Sequence, residues 1–146
     1  MEIILKGDKD GIETANEIKK VHVVPVLFLS AHSDEPILKR VNEVGEIIRT
    51  TLEKWKDKYA IIGDVRGIGA MRLVEFVKNR NSKEADADVT LEVIKDAVSN
   101  GLILIRAGLF SNCIRLLPPV VITDEQLIEG LKVLEDAIAR AQAKRS

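Results

Sequence analysis

The chain has 146 residues, 46% of them hydrophobic and 31% charged, with 22 basic against 23 acidic side chains and a formal net charge of −1. That is enough for one core and short for two independent domains. The balanced charge gives no pull toward nucleic acid or a membrane surface, and aromatics at 3% offer no stacking platform for single strands. The one cysteine, Cys113, leaves no internal disulfide to form and fits a reducing, cytoplasmic setting. The start of the chain lacks signal-peptide character, and the apolar stretch from Val23 to Leu29 is too short to span a bilayer.

Taken in order, Glu2 to Leu5 reads as a short buried strand and Gly7 to Asp10 as a loop. Asp10 with Glu13 forms a capping-box pattern that opens a helix with Ile12, Ala15 and Ile18 inward. Pro25 precedes a second buried strand, Val26 to Leu29. Strand, helix and strand in this order predict a parallel β-α-β start with a right-handed crossover. Ser33 or Asp34 then caps a helix of about 25 residues. Its apolar face runs through Ile37, Val41, Val44, Ile48, Leu52, Trp55 and Tyr59, every third or fourth residue. Trp55 on that stripe reads as core.

Gly63, Gly67 and Gly69 mark a strand, a tight turn and a longer strand from Ala70 to Val77. They are turn glycines and not a phosphate loop, because no helix N-terminus comes after them. A polar loop over Asn79 to Glu84 leads to a helix from about Asp86 to Ser99, with Val89, Val93, Ile94, Ala97 and Val98 inward. Asn100-Gly101 stops it. Leu102 to Ile105 and Cys113 to Leu117 are strands, and Thr123 with Gln126 is a capping box for a last helix that buries Leu127, Leu131, Leu134 and Ile138. The expected fold is a mixed α/β (α+β) single domain of two or three layers over residues 1–146. It has about six strands and four helices, with mixed or antiparallel strands after the parallel start.

The run Cys113-Ile114-Arg115-Leu116-Leu117-Pro118-Pro119 places an arginine inside what reads as a buried strand. A buried guanidinium is costly unless it meets an anion, so Arg115 predicts a carboxylate or phosphate partner, from the chain itself or from a ligand. His22, His32 and Cys113 have no spacing that makes a metal site, and no nucleophile-base-acid arrangement is evident.

Two resemblances overlay this reading. Residues 1–40 resemble part of a response-regulator receiver domain of flavodoxin-like fold, through Met1-Glu2-Ile3-Ile4-Leu5-Lys6-Gly7, then Asp10-Gly11-Ile12-Glu13 with Ile18, then Pro25-Val26 and Leu29-Ser30-Ala31. The resemblance places the family's phosphoacceptor position on Glu2 and its switch hydroxyl on Ser30. The acidic pair and the lysine of a working receiver have no counterpart. Residues 42–142 resemble the C-terminal small domain of class III aminotransferases, the pyridoxal-phosphate enzymes of 4-aminobutyrate and acetylornithine type. Here the match rests on Gly63 to Met71, Glu75 with Val77-Lys78 and Arg80, and Gly101 to Leu104. Asn112 with Ile114-Arg115, Pro118-Pro119 and Glu125-Gln126-Leu127 complete it. That resemblance implies that Arg115 pairs with a substrate carboxylate in a complete enzyme, and that the Schiff-base lysine lies in a large domain with no counterpart here.

These readings lead to one expectation and two alternatives. The expectation is an engineered chimera joined within the long helix, with fragments 1–40 and 41–146, whose role is to fold. It has no catalytic activity, no catalytic, cofactor or metal site, no cofactor and no required partner, and it dimerises at most through exposed strand edges. Such a protein would be recombinant. The alternatives are a small module that captures a carboxylate or pyridoxal phosphate through Arg115, and a degenerate receiver-like signalling domain.

Overall fold

The computed structural model describes Glu17, Lys20 and residues 35–145. The chain divides into two units, Met1–Glu35 and Pro36–Ser146. In the first, Glu17 and Lys20 are helical. The expected β-α-β start, with Glu2 and Ser30, lies outside the described residues. The second unit holds all the strands and helices whose packing is described.

Helix α1, Glu35–Lys58, begins at a glutamate and ends on Lys56 and Lys58, the charge order that the helix dipole favours. Its apolar stripe is buried from Val44 through Ile48, Leu52 and Trp55, and Tyr59 just beyond the helix continues it. Ile37, one turn too early to reach the core, is 48% exposed. Three arginine hydrogen bonds close the C-terminal end: Arg80 donates to the carbonyls of Lys56, Tyr59 and Ile62, satisfying acceptors that a helix end leaves open.

Strands β1, Ile62–Ile68, and β2, Met71–Asn79, form an antiparallel hairpin that turns on Gly69-Ala70 and pairs Ile68 with Met71, Arg66 with Leu73 and Asp64 with Glu75. Gly69 has φ +50°, open to glycine at little cost. The turn also sits under α1. A Cβ at Gly69 would come 2.8 Å from Val41 Cγ1, and one at Gly45 would overlap the Gly69 carbonyl. Two glycines therefore let the helix and the hairpin touch backbone to backbone. The short strand β3, Glu84–Ala85, pairs with the end of β2 and begins at the last residue of the expected loop.

Helix α2, Ala87–Ser99, is capped by Asp86, whose carboxylate accepts from Val89 N at 2.9 Å. Val89, Val93 and Ala97 are buried as expected. Thr90 joins them because its hydroxyl donates to the Asp86 carbonyl, while Val98 is 50% exposed. Strand β4, Ile105–Ala107, begins three residues later than expected, and β5 is Cys113–Leu116. Helix α3, Asp124–Ala143, has the capping box read from Thr123 and Gln126, each side chain bonding the other's backbone N–H at 3.2 Å.

The sheet order is β1-β2-β5-β4, with β3 beside β2, and every pairing is antiparallel. Among the described residues this is an α+β fold of five strands and three helices. One face of the sheet carries Val74, Phe76 and Ile114, all fully buried in a single core with the stripes of α1, α2 and α3. Alternation sends the neighbouring residues to the opposite face, and no helix among the described residues takes its place there.

Candidate functional site

The open face is built by register. In β5, Ile114 points into the core, so Arg115 points away from it. Arg115 stands opposite Leu73 on β2 and Ile105 on β4, and Leu73 in turn stands opposite Arg66 on β1. One row across the sheet therefore reads Arg66, Leu73, Arg115, Ile105. The next row reads Asp64, Glu75, Cys113, Ala107. The expectation of a buried arginine fails here. Arg115 is exposed, and among the described residues its guanidinium makes no hydrogen bond or ion pair. The run around it is apolar on both faces, which is why it imitates a buried strand.

Charge in the second row is tightly matched. Glu75 Oε2 lies 2.5 Å from Arg66 Nη1, and the same nitrogen is 3.1 Å from Asp64 Oδ2. Lys56 Nζ reaches Asp64 Oδ1 at 3.0 Å. Partial burial opposes ionisation of Asp64, but hydrogen bonds from Lys56 and Arg66 together outweigh it and hold the carboxyl below its usual range. Asn112, 2% exposed, donates to the Phe76 carbonyl at 3.0 Å and lies 3.3 Å from Glu75 Oε1. It locks the start of β5 onto β2. Cys113 closes that end of the face beneath Gly108, whose Cβ would come 2.8 Å from the sulfur. Burial, reinforced by the Glu75 charge, pushes the thiol up.

Beside Arg115 lies a cleft of ≈ 300 Å³, lined by Leu102 to Ile105, Leu116 to Pro119, Ile122 and the inner side of α3 around Leu131. Among the described residues, Arg115 is the only charged group in its lining. The cleft also reaches Ile48 of α1 and Leu134 of α3, and Arg115 borders it from β5; a guanidinium there can hold a carboxylate by a two-pronged hydrogen bond.

Gly63, Gly67 and Gly69 belong to the hairpin, and Trp55 is 4% exposed in the core, both as expected. Among the described residues, no group of three metal-ligating side chains comes together, and no helix is long and apolar enough to cross a membrane. None of the described lysines is buried. A Schiff-base lysine needs a desolvated setting, so the described residues do not fit a pyridoxal-phosphate site by themselves. The Arg66–Glu75 pair escaped the sequence reading, although counting outward from the Gly69-Ala70 turn places the two on one face in adjacent rows.

The fold of an antiparallel sheet backed by three helices is shared with solved transaminase structures. A Bacillus anthracis aminotransferase superposes with a TM-score of 0.68 at 28% identity, covering 73% of this chain and 25% of that one. The chain belongs to the class-III aminotransferase family, which matches residues 14–138. It is similar to a probable 4-aminobutyrate aminotransferase of Bacillus subtilis, 40% identical over 102 residues, 70% of this chain and 23% of that protein. The 4-aminobutyrate aminotransferase GabT of Escherichia coli is 31% identical over 142 residues, 97% of this chain and 33% of GabT. An alanine/serine racemase of Pyrococcus horikoshii is 42% identical over 105 residues, 72% of this chain and 22% of that protein. The chain thus spans about a quarter to a third of the length of these relatives.

These matches overturn the chimera. The family match begins at residue 14 and runs through the supposed junction at 40–42, and the GabT alignment covers nearly the whole chain. Residues 1–40 are therefore not grounds for a receiver fragment, an engineered splice or a signalling role. The unbroken α1 across the junction is a helix of one family, and a protein whose role is only to fold gives way to a chain of the class-III aminotransferase family.

Proposed function

We propose that this chain supplies the carboxylate-anchoring side of an aminotransferase-type active site, with Arg115 as the anchor. The observation that carries this reading is Arg115 on the open sheet face, unpaired among the described residues and bordering an apolar cleft. It stands in the Asn112-x-Ile114-Arg115-x-x-Pro118-Pro119 run that the family resemblance picks out. The fork of a guanidinium fixes both oxygens of a carboxylate and so sets the direction in which the rest of the substrate points. Relatives are named for 4-aminobutyrate, 5-aminovalerate, and alanine or serine, which share an amine and a carboxylate in one small molecule. The substrate class is therefore an amino acid. A desolvated lysine and the remainder of the site come from outside the described residues.

Titration of the chain with 4-aminobutyrate tests the anchor, with the Arg115 Nε–Hε signal followed by NMR. A saturable shift is expected in the parent, and in Arg115→Met the backbone amides around the cleft should show no saturation. Equal saturation in the variant, read from backbone amides around the cleft, refutes the assignment.

A further inference from the structure

We propose that Arg66 is a positioning residue that keeps Arg115 open to a carboxylate ligand by holding Glu75 on the opposite side of β2. The inference rests on the reading of Arg115 as a carboxylate anchor and adds what makes that anchor available.

Glu75 is the carboxylate best placed to neutralise Arg115. It sits on the same face, one row away and on the adjacent strand, so it is a diagonal neighbour of Arg115. By the same register it is a diagonal neighbour of Arg66 on the other side. Diagonal pairs on a sheet stand about 7–8 Å apart at the backbone, within reach of long side chains. Glu75 thus lies between two arginines and can serve either.

The structure shows it committed to one. Oε2 takes Arg66 Nη1 at 2.5 Å, and Oε1 lies 3.3 Å from Asn112 Nδ2 just before β5, so neither oxygen is bonded to Arg115. Asp64 and Lys56 extend the same network and fix the Arg66 guanidinium over β1. Without Arg66, Glu75 is free to turn to Arg115, its diagonal neighbour on β5, while Lys56 stays engaged by Asp64. The resulting internal pair would occupy the fork and compete with any incoming carboxylate. Apparent affinity falls in proportion to the fraction of molecules in which the fork stays free. For an exposed pair that competition amounts to about two- to fivefold.

The test uses the full chain, 4-aminobutyrate as probe, and the Arg115 Nε–Hε resonance as reporter. In Arg66→Met, and in Arg66→Gln as a second variant, the resonance is expected to move before any ligand is added, and the Kd to rise about two- to fivefold. Arg66→Lys, which can still hold Glu75, should restore both. So should adding Glu75→Gln to Arg66→Met, which a merely structural role for Arg66 would not predict. An Arg115 resonance unmoved in both Arg66 variants overturns the proposal, as does a double variant that stays weak. If the parent chain shows no saturable binding, the anchor reading fails by itself, and the ligand-free Arg115 shift still decides whether Arg66 diverts Glu75.

Discussion

Gly45→Ala sets two effects of known size against each other. In an exposed helix interior this change is favourable, because alanine is preferred over glycine by about 0.8–1 kcal/mol. At Gly45 the added methyl would overlap the Gly69 carbonyl and stand 3.0 Å from Ala70 N. Carbon atoms settle at about 3.5–4 Å, so α1 must retreat from the hairpin turn by roughly 1 Å. The obstacle is backbone, which no rotamer change can move aside. Overpacking of this kind costs about 1–3 kcal/mol and occasionally more. With rigid atoms on both sides the upper end applies, leaving a net loss of about 2 kcal/mol after the propensity gain. Gly130→Ala on α3 is the matched control, since its new methyl would meet only Leu102 Cδ1 at 3.5 Å, an ordinary contact. It should gain about 0.5–1 kcal/mol. Urea unfolding followed by circular dichroism measures both, with m unchanged. If Gly45→Ala is as stable as the parent while Gly130→Ala is stabilised, the contact between α1 and the hairpin is not close, and the reasoning fails.

Ile48→Asp, at a position 1% exposed in the centre of the α1 stripe, places an unpaired charge in the core. A loss of more than about 4 kcal/mol is expected in the same unfolding assay. Thr123→Ala removes half of the α3 capping box and should cost about 1 kcal/mol, a smaller midpoint shift that Thr123→Ser recovers. Acid should weaken the interhelical contacts. Glu92 is held below its usual pKa by Lys144 and then Arg145, Asp96 by Arg140, and Glu135 by Lys58. A carboxyl whose folded pKa is depressed binds its proton more readily in the unfolded chain, so the stabilisation is complete above the unfolded values near about 4 and is lost as pH falls through the folded ones. Thermal melts across the acid range, from near neutral to well below the ordinary carboxylate pKa, should show this decline. The decline should flatten in Asp96→Asn, which removes the pair with Arg140 at 2.7 Å.

The helices were legible because their signals are local. The three- and four-residue spacing from Val41 to Trp55 and the Thr123/Gln126 box each fix an element without reference to the rest of the chain. The hairpin was legible for the same reason, through glycines at its turn. The open face was not. Cys113, Leu116 and Leu117 make β5 apolar on both sides, so alternation could not say which way Arg115 pointed. That depends on β2 and β4 as neighbours, which is tertiary information. Residues 1–40 misled for a related cause. A β-branched strand, an aspartate cap and a proline-led apolar run are what any strand-helix-strand segment requires, so a likeness built from them carries little about descent. The family match runs unbroken through residues 14–138, across the supposed junction.

Trp55 is the one tryptophan of the chain, and it is 4% exposed, in the core that joins α1 to the rest of the fold. Its indole is therefore a built-in optical probe of that seam. Emission should move to longer wavelength as soon as α1 lifts from the sheet. Trp55 does not line the cleft beside Arg115, so a ligand there should leave the colour of this light unchanged, and one spectrum separates loosening of the scaffold from occupation of the anchor.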